Sequence, residues 1–136
     1  MILVDTNVLL DLVGRDTRWA AWSMENLQAA ALEGPLLINS VIYAEVSVRY
    51  QTLEALDAFV EGVGLQMSEI PRSALFLAAK AFSAYRGAGG VRTGVLSDFY
   101  IGAHAAMLNI PILTRDVRRY RTYFPTVELR TPADPE

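Results

Sequence analysis

Three short apolar runs, each stopped at once by polar residues suited to helix caps and turns, restrict this chain to very few folds. Ile2-Leu3-Val4 meets Asp5-Thr6-Asn7, Leu36-Leu37-Ile38 meets Asn39-Ser40, and Ile110-Pro111-Ile112-Leu113 meets Thr114-Arg115-Asp116. Continuous apolar runs of this length, bounded by turn signals, read as strands buried on both faces. Asp, Asn, Ser and Thr accept hydrogen bonds from the free N–H groups of a first helical turn. The first two runs therefore read as buried strands that feed helices.

The intervening segments have helical spacing. Asp5-Thr6-Asn7 opens a helix holding Val8, Leu9, Leu10 and Leu12, broken by Gly14 and Arg15-Asp16. Asp16 or Thr17 caps a long helix through Trp19, Trp22, Met24, Leu27 and Ala31, which Gly34-Pro35 stops. Asn39-Ser40 caps the helix that carries Glu45, and a further helix spans Thr52 to Val63. Leu65-Gln66-Met67 reads as a short edge strand, Ser68 to Pro71 starts a helix to about Tyr85, and Arg86 to Gly94 is a glycine-rich loop. Ser97 is expected to cap a helix from Asp98 to Leu108, and Val127-Glu128-Leu129 to form the last strand. The expected fold is one α/β domain, residues 1–130, with a central mainly parallel sheet of four to five short strands flanked by helices on both faces. Residues 131–136 are expected to be a flexible tail.

Composition narrows the chemistry. The 136 residues contain no cysteine and a single histidine, His104, so thiolate and histidine-rich zinc sites are excluded, as is a two-histidine acid–base mechanism. A reducing, cytoplasmic setting fits, and no run approaches the roughly 18 apolar residues of a membrane span. Hydrophobic residues make up 52% and charged ones 20%, a surplus that suggests apolar surface reserved for a partner. Net charge is −3, which argues against nucleic-acid binding by bulk electrostatics. Yet eleven of the twelve basic residues are arginine, whose planar fork suits phosphate.

Four acids stand where buried elements surface: Asp5, Glu45, Asp98 and Asp116. Singly, each has an innocent role as a cap, a turn residue or a solvated helix position. In a parallel sheet, however, the carboxyl ends of the strands share one rim, where open α/β sheets bind ligands. Converging carboxylates with no histidine or cysteine select hard cations such as Mg²⁺ or Mn²⁺. Without metal, at least one should have a raised pKa. Arg115, Arg118 and Arg119 fall at spacings that share a helix face beside Asp116 and are expected to contact phosphate. Arg86 and Arg92 could extend that track, while His104 is expected to be a hydrogen-bonded packing residue and Trp19 and Trp22 to be core or partner-facing.

The ordered set Val4-Asp5-Thr6-Asn7-Val8-Leu9-Leu10-Asp11-Leu12, Tyr43-Ala44-Glu45-Val46, Asp98-Phe99-Tyr100-Ile101-Gly102-Ala103-His104-Ala105 and Leu113-Thr114-Arg115-Asp116 resembles PIN-domain ribonucleases. The closing Arg119-Tyr120-Arg121-Thr122-Tyr123-Phe124-Pro125 resembles the end of VapC-type toxins of VapBC toxin–antitoxin pairs. The resemblance implies a metal-dependent endoribonuclease in which Asp5, Glu45, Asp98 and Asp116 hold Mg²⁺ or Mn²⁺. It implies orienting roles for Thr6, Asn7, Ser40 and Thr114. It also implies an RNA substrate, a cognate antitoxin and a homodimer. The alternative is a catalytically inactive PIN module used for RNA or protein binding, although all four acids are intact. A haloacid-dehalogenase-like phosphatase is disfavoured, because Asn7 stands where that family needs a second Asp.

Overall fold

A computed structural model of the chain describes residues 1–14, 16–91 and 95–133. The elements run β1 (Ile2–Val4), α1 (Thr6–Val13), α2 (Ala20–Glu33), β2 (Leu36–Ile38), α3 (Ser40–Ser47), α4 (Leu53–Val63), β3 (Leu65–Met67), α5 (Arg72–Gly87), α6 (Leu96–Leu108), β4 (Ile112–Leu113), α7 (Arg118–Tyr123) and β5 (Leu129–Arg130). The five strands form one parallel sheet in the order β3-β2-β1-β4-β5. The order reverses direction at β1, and right-handed crossovers then place helices on both faces. Among the described residues, no helix is long and apolar enough to cross a membrane.

The central strand is the most deeply buried. Leu3 pairs with Leu37 on one side and Ile112 on the other, and Leu3, Val4, Ile112 and Leu113 are all 1% exposed or less. The Asp5 N–H donates to the Leu113 carbonyl at 2.9 Å, so β1 and β4 remain paired up to the first acid. Phe99 of α6 anchors the aromatic part of the core, within 5.2 to 5.4 Å of the Phe82, Tyr85 and Tyr123 rings. Gly102 admits the Phe124 ring where any Cβ would collide with it, which seats the end of α7 against α6.

Several expectations about elements need correction. Ser97 does not cap α6; that helix begins at Leu96 behind buried Val95, so Ser97 and Asp98 both lie inside the first turn. The last strand is Leu129–Arg130 rather than 127–129, its register fixed by the Thr114 N–H bond to the Arg130 carbonyl. Arg115 precedes α7, so it does not share a helix face with Arg118 and Arg119. In the expected tail Pro132 is buried, while residues 134–136 lie outside the described residues, as does Arg92. The expected cap Asp16 accepts from the Arg18 and Trp19 N–H groups, but α2 itself begins at Ala20.

Candidate active site

Strand order determines where this site lies. β1 and β4 are neighbours across the point where the sheet reverses, and their carboxyl ends open a crevice there. Asp5 follows β1 and caps α1, its Oδ1 accepting the Thr6 N–H at 2.7 Å. Its Oδ2 accepts the hydroxyls of Thr114 at 2.8 Å and Tyr120 at 2.9 Å, with Asn7 Nδ2 at 3.3 Å. At 4% exposure the carboxylate is almost dry, and burial lifts its pKa to about 6 against the pull of the Thr114 and Tyr120 bonds. Tyr120 stays protonated, because burial and the charge of Asp5 push its pKa well above the usual value.

Each of the other acids reaches the crevice from a different element. Glu45 of α3 accepts the Thr6 hydroxyl at 2.5 Å, so one residue of α1 links two acids. Asp98 enters from the first turn of α6, with Arg119 Nε 3.2 Å from its Oδ2. That Nε is not aligned for a hydrogen bond, so the pairing is one of charge. Burial pushes Asp98 to a pKa of about 7, and the charges of Asp5, Asp116 and Glu45 add to the rise while Arg119 opposes it. Asp116 lies after β4, where Arg118 donates to both oxygens at 3.1 and 2.8 Å and holds its carboxyl below the usual range. All four acids therefore act in one electrostatic field.

The fit to a divalent cation follows from this donor set. The groups are oxygen-only, burial raises the pKa of two of them to about 6 and about 7, and arginines supply the counter-charge. Among the described residues, no three of them close into a ready-made coordination shell. Ligation would require rotation of side chains and separation of Arg119 from Asp98. The pH response of the metal-free chain follows from the sign of the shifts. Asp5 and Asp98 bind protons more tightly when folded, so their contribution is complete below the unfolded value of 3.8 and is lost as pH rises through about 6 and 7. In chelator, Tm is expected to fall relative to that of the Asp98→Asn variant between about pH 4 and about pH 7, a comparison that cancels the opposite trend from His104, whose pKa burial lowers. A wild-type Tm that does not fall relative to that variant over this interval would show that Asp98 is not strained by burial.

Of the predicted orienting residues, Thr6, Asn7 and Thr114 join the acids directly. Ser40 does not: it is exposed on the first turn of α3, and buried Asn39 makes the cap to the Ile42 N–H at 3.0 Å. Asn39 must then turn its Nδ2 toward His104 Nδ1, 3.0 Å away. That places the imidazole proton on Nε2, facing Ser68 Oγ at 3.3 Å, so His104 cannot take a proton from Ser68. His104 is a satisfied packing histidine, as expected.

The arginines depart further from expectation. Arg115 donates to both oxygens of buried Asp11, at 2.8 and 2.7 Å, and Ser23 donates to the same carboxylate at 2.7 Å. Arg118 and Arg119 are paired with Asp116 and Asp98. In the ligand-free chain all three guanidinium groups are directed at protein carboxylates. The roles of Asp11 and Tyr120 are not signalled by their local sequence, because their partners lie far along the chain. Trp19 is 8% exposed and meets Trp22 edge-to-face at 6.4 Å, so Trp19 is core. The exposed apolar side chains lie elsewhere, Phe76 and Leu32 among them.

Comparison with known proteins agrees with this fold. The PIN domain model matches residues 2–125. No curated protein is similar to the chain in sequence. Among solved structures, VapBC2 from Rickettsia felis bound to a promoter DNA fragment superposes with a TM-score of 0.72 at 18% identity, covering 97% of this chain and 99% of that one. VapBC-1 from nontypeable Haemophilus influenzae gives 0.69 at 17% identity, covering 96% and 98%. A toxin–antitoxin complex from Klebsiella pneumoniae gives 0.67 at 20% identity, covering 98% and 99%. With the family model spanning nearly the whole chain, from the first strand past the last acid, this protein belongs to the PIN domain family.

Proposed function

We propose that the chain is a metal-dependent endoribonuclease and the toxin of a two-component toxin–antitoxin pair. The observation that carries the nuclease reading is Asp98, whose pKa of about 7 reflects burial together with three other acids gathered at the β1/β4 crevice. A structural carboxylate has no need of three like charges, whereas a cation site does. Asp5, Glu45, Asp98 and Asp116 would hold Mg²⁺ or Mn²⁺. When bound, the ion supplies a nucleophilic hydroxide at neutral pH and offsets charge on the phosphoryl and leaving oxygens.

The chain's own residues prepare that chemistry. Thr114 and Tyr120 fix Asp5 through two hydroxyl donors, and Thr6 fixes Glu45. Asp5 and Asp98 must shed their protons to ligate, so cation affinity should rise with pH. The toxin reading draws on the VapBC structures, which are toxin–antitoxin complexes. A cognate antitoxin would restrain the enzyme. A groove of about 220 Å³ lined by Leu12, Met24, Leu27, Ala31 and Val63 offers it apolar surface, and exposed Phe76 and Leu75 suit a homodimer. The direct test incubates the purified chain with total RNA and Mn²⁺ or Mg²⁺, with and without EDTA. Cleavage that EDTA abolishes is expected. No cleavage with either ion, in a chain shown to be folded, would refute the nuclease reading.

A further inference from the structure

We infer that the cavity beside the acids is a second phosphate subsite, in which Arg49 grips the RNA backbone next to the bond being cut. This rests on the nuclease reading of the four acids. A strand of RNA lying across the crevice needs cationic contacts beyond the scissile phosphate, because backbone contacts supply most of such affinity. Arg115, Arg118 and Arg119 are paired with Asp11, Asp116 and Asp98. Arg115 is held by buried Asp11, and Arg119, once separated from Asp98 by a bound cation, would serve the scissile phosphate, so a contact to the neighbouring phosphate needs a further cation.

A cavity of about 290 Å³ adjoins the acids, lined among others by Asn7, Asp11, Gly14, Asp16, Arg49 and Arg115. Asn7 is the shared wall, since its Nδ2 also reaches Asp5 and Thr114 at 3.3 and 3.1 Å. Arg49 follows Glu45 by four residues, and its N–H still bonds the Val46 carbonyl at 3.0 Å, so the chain keeps turning past the end of α3. On a helix that spacing puts neighbouring Cβ atoms about 5–6 Å apart. The guanidinium lies over Gly14, where an added Cβ would stand 3.6 Å from the Arg49 terminal nitrogen.

The two aspartates on the wall are already answered. Asp11 is matched by the fork of Arg115, and Asp16 accepts the N–H groups of Arg18 and Trp19 at 2.8 Å. Arg49 is exposed and forms no ion pair among the described residues. A phosphate would give it a charge-assisted, two-pronged partner. The competing role is purely structural: Arg49 lies near the carbonyl end of α1, where a cation is favoured by the helix dipole.

The experiment uses the Asp98→Asn chain, in which hydrolysis is silenced, and a fluorescent mixed-sequence single-stranded RNA of about 12 nucleotides. Adding Arg49→Ala is expected to weaken binding about tenfold. It should also lower the slope of log affinity against log salt by about one. Lys80→Ala, which removes an exposed charge from α5, should have a far smaller effect on both. In the otherwise wild-type chain, Arg49→Ala should raise KM while kcat changes little. Unchanged affinity and slope, or equal effects of Arg49→Ala and Lys80→Ala, would overturn the subsite. A lowered Tm with intact RNA affinity would overturn it too, in favour of the α1 dipole role. RNA bound through Arg49 but never cut by the wild-type chain would overturn the nuclease reading and support the subsite. Failure of the chain to bind RNA at all would overturn both.

Discussion

Asp98→Asn is expected to abolish RNA cleavage, by at least about a thousandfold, and at the same time to raise the Tm of the metal-free protein at alkaline pH. The two effects have one origin. Asp98 is pushed to a pKa of about 7 by burial and by Asp5, Asp116 and Glu45, so above neutrality the fold carries a carboxylate in a field that opposes it. Asparagine keeps the shape and removes the charge. Its side chain is only 29% exposed, and relief of that opposition is worth on the order of 2 kcal/mol. For a domain of this size the gain corresponds to a rise of about 4–8 °C in Tm. Arg119 loses a charge partner, but its Nε was not hydrogen-bonded to Asp98, so that loss is the smaller term. Thermal melts in EDTA at about pH 8, with cleavage assays on the same preparation, check both effects. Wild-type cleavage would remove Asp98 from the site. An inactive variant with a lowered Tm would refute the account of mutual repulsion.

Arg115→Ala is expected to be the most destabilising single substitution considered, costing about 3–5 kcal/mol. Asp11 is 2% exposed, and its carboxylate is held by the Arg115 fork and the Ser23 hydroxyl. Truncating Arg115 leaves a carboxylate in the core with the Ser23 hydroxyl as its side-chain donor among the described residues. The expected fall in Tm is about 10 °C or more. A second substitution, Asp11→Leu in the same chain, should recover most of the loss, because removal of both charges leaves nothing stranded. The phosphate-binding role that sequence suggested for Arg115 predicts the opposite pattern: unchanged stability and a raised KM. Urea denaturation of the single and double variants separates the two.

The elements that were legible in the sequence were those set by local chemistry. Ile2-Leu3-Val4 and Leu36-Leu37-Ile38 had to be buried strands, and Asp5 and Asn39 were visible as caps because a cap needs only the next few N–H groups. Element ends were less legible. Ser97 looked like a cap, yet burial of Val95 starts α6 earlier, and packing rather than local propensity decided that boundary.

The sequence by itself determined the fold class, the places of the four acids along the chain and the lack of thiolate ligands, because each depends on residue type and on order along the chain. Tertiary structure alone decided the partners. Asp11 and Arg115 are 104 positions apart, Asp5 and Tyr120 are 115 apart, and Asn39 and His104 are 65 apart. Nothing local records such meetings. Three arginines grouped beside Asp116 looked like a phosphate track, and only the folded chain shows the carboxylates that claim them. The physical reason is that burying a charge demands a matching charge nearby, and proximity in space is set by the sheet order β3-β2-β1-β4-β5 rather than by distance along the chain.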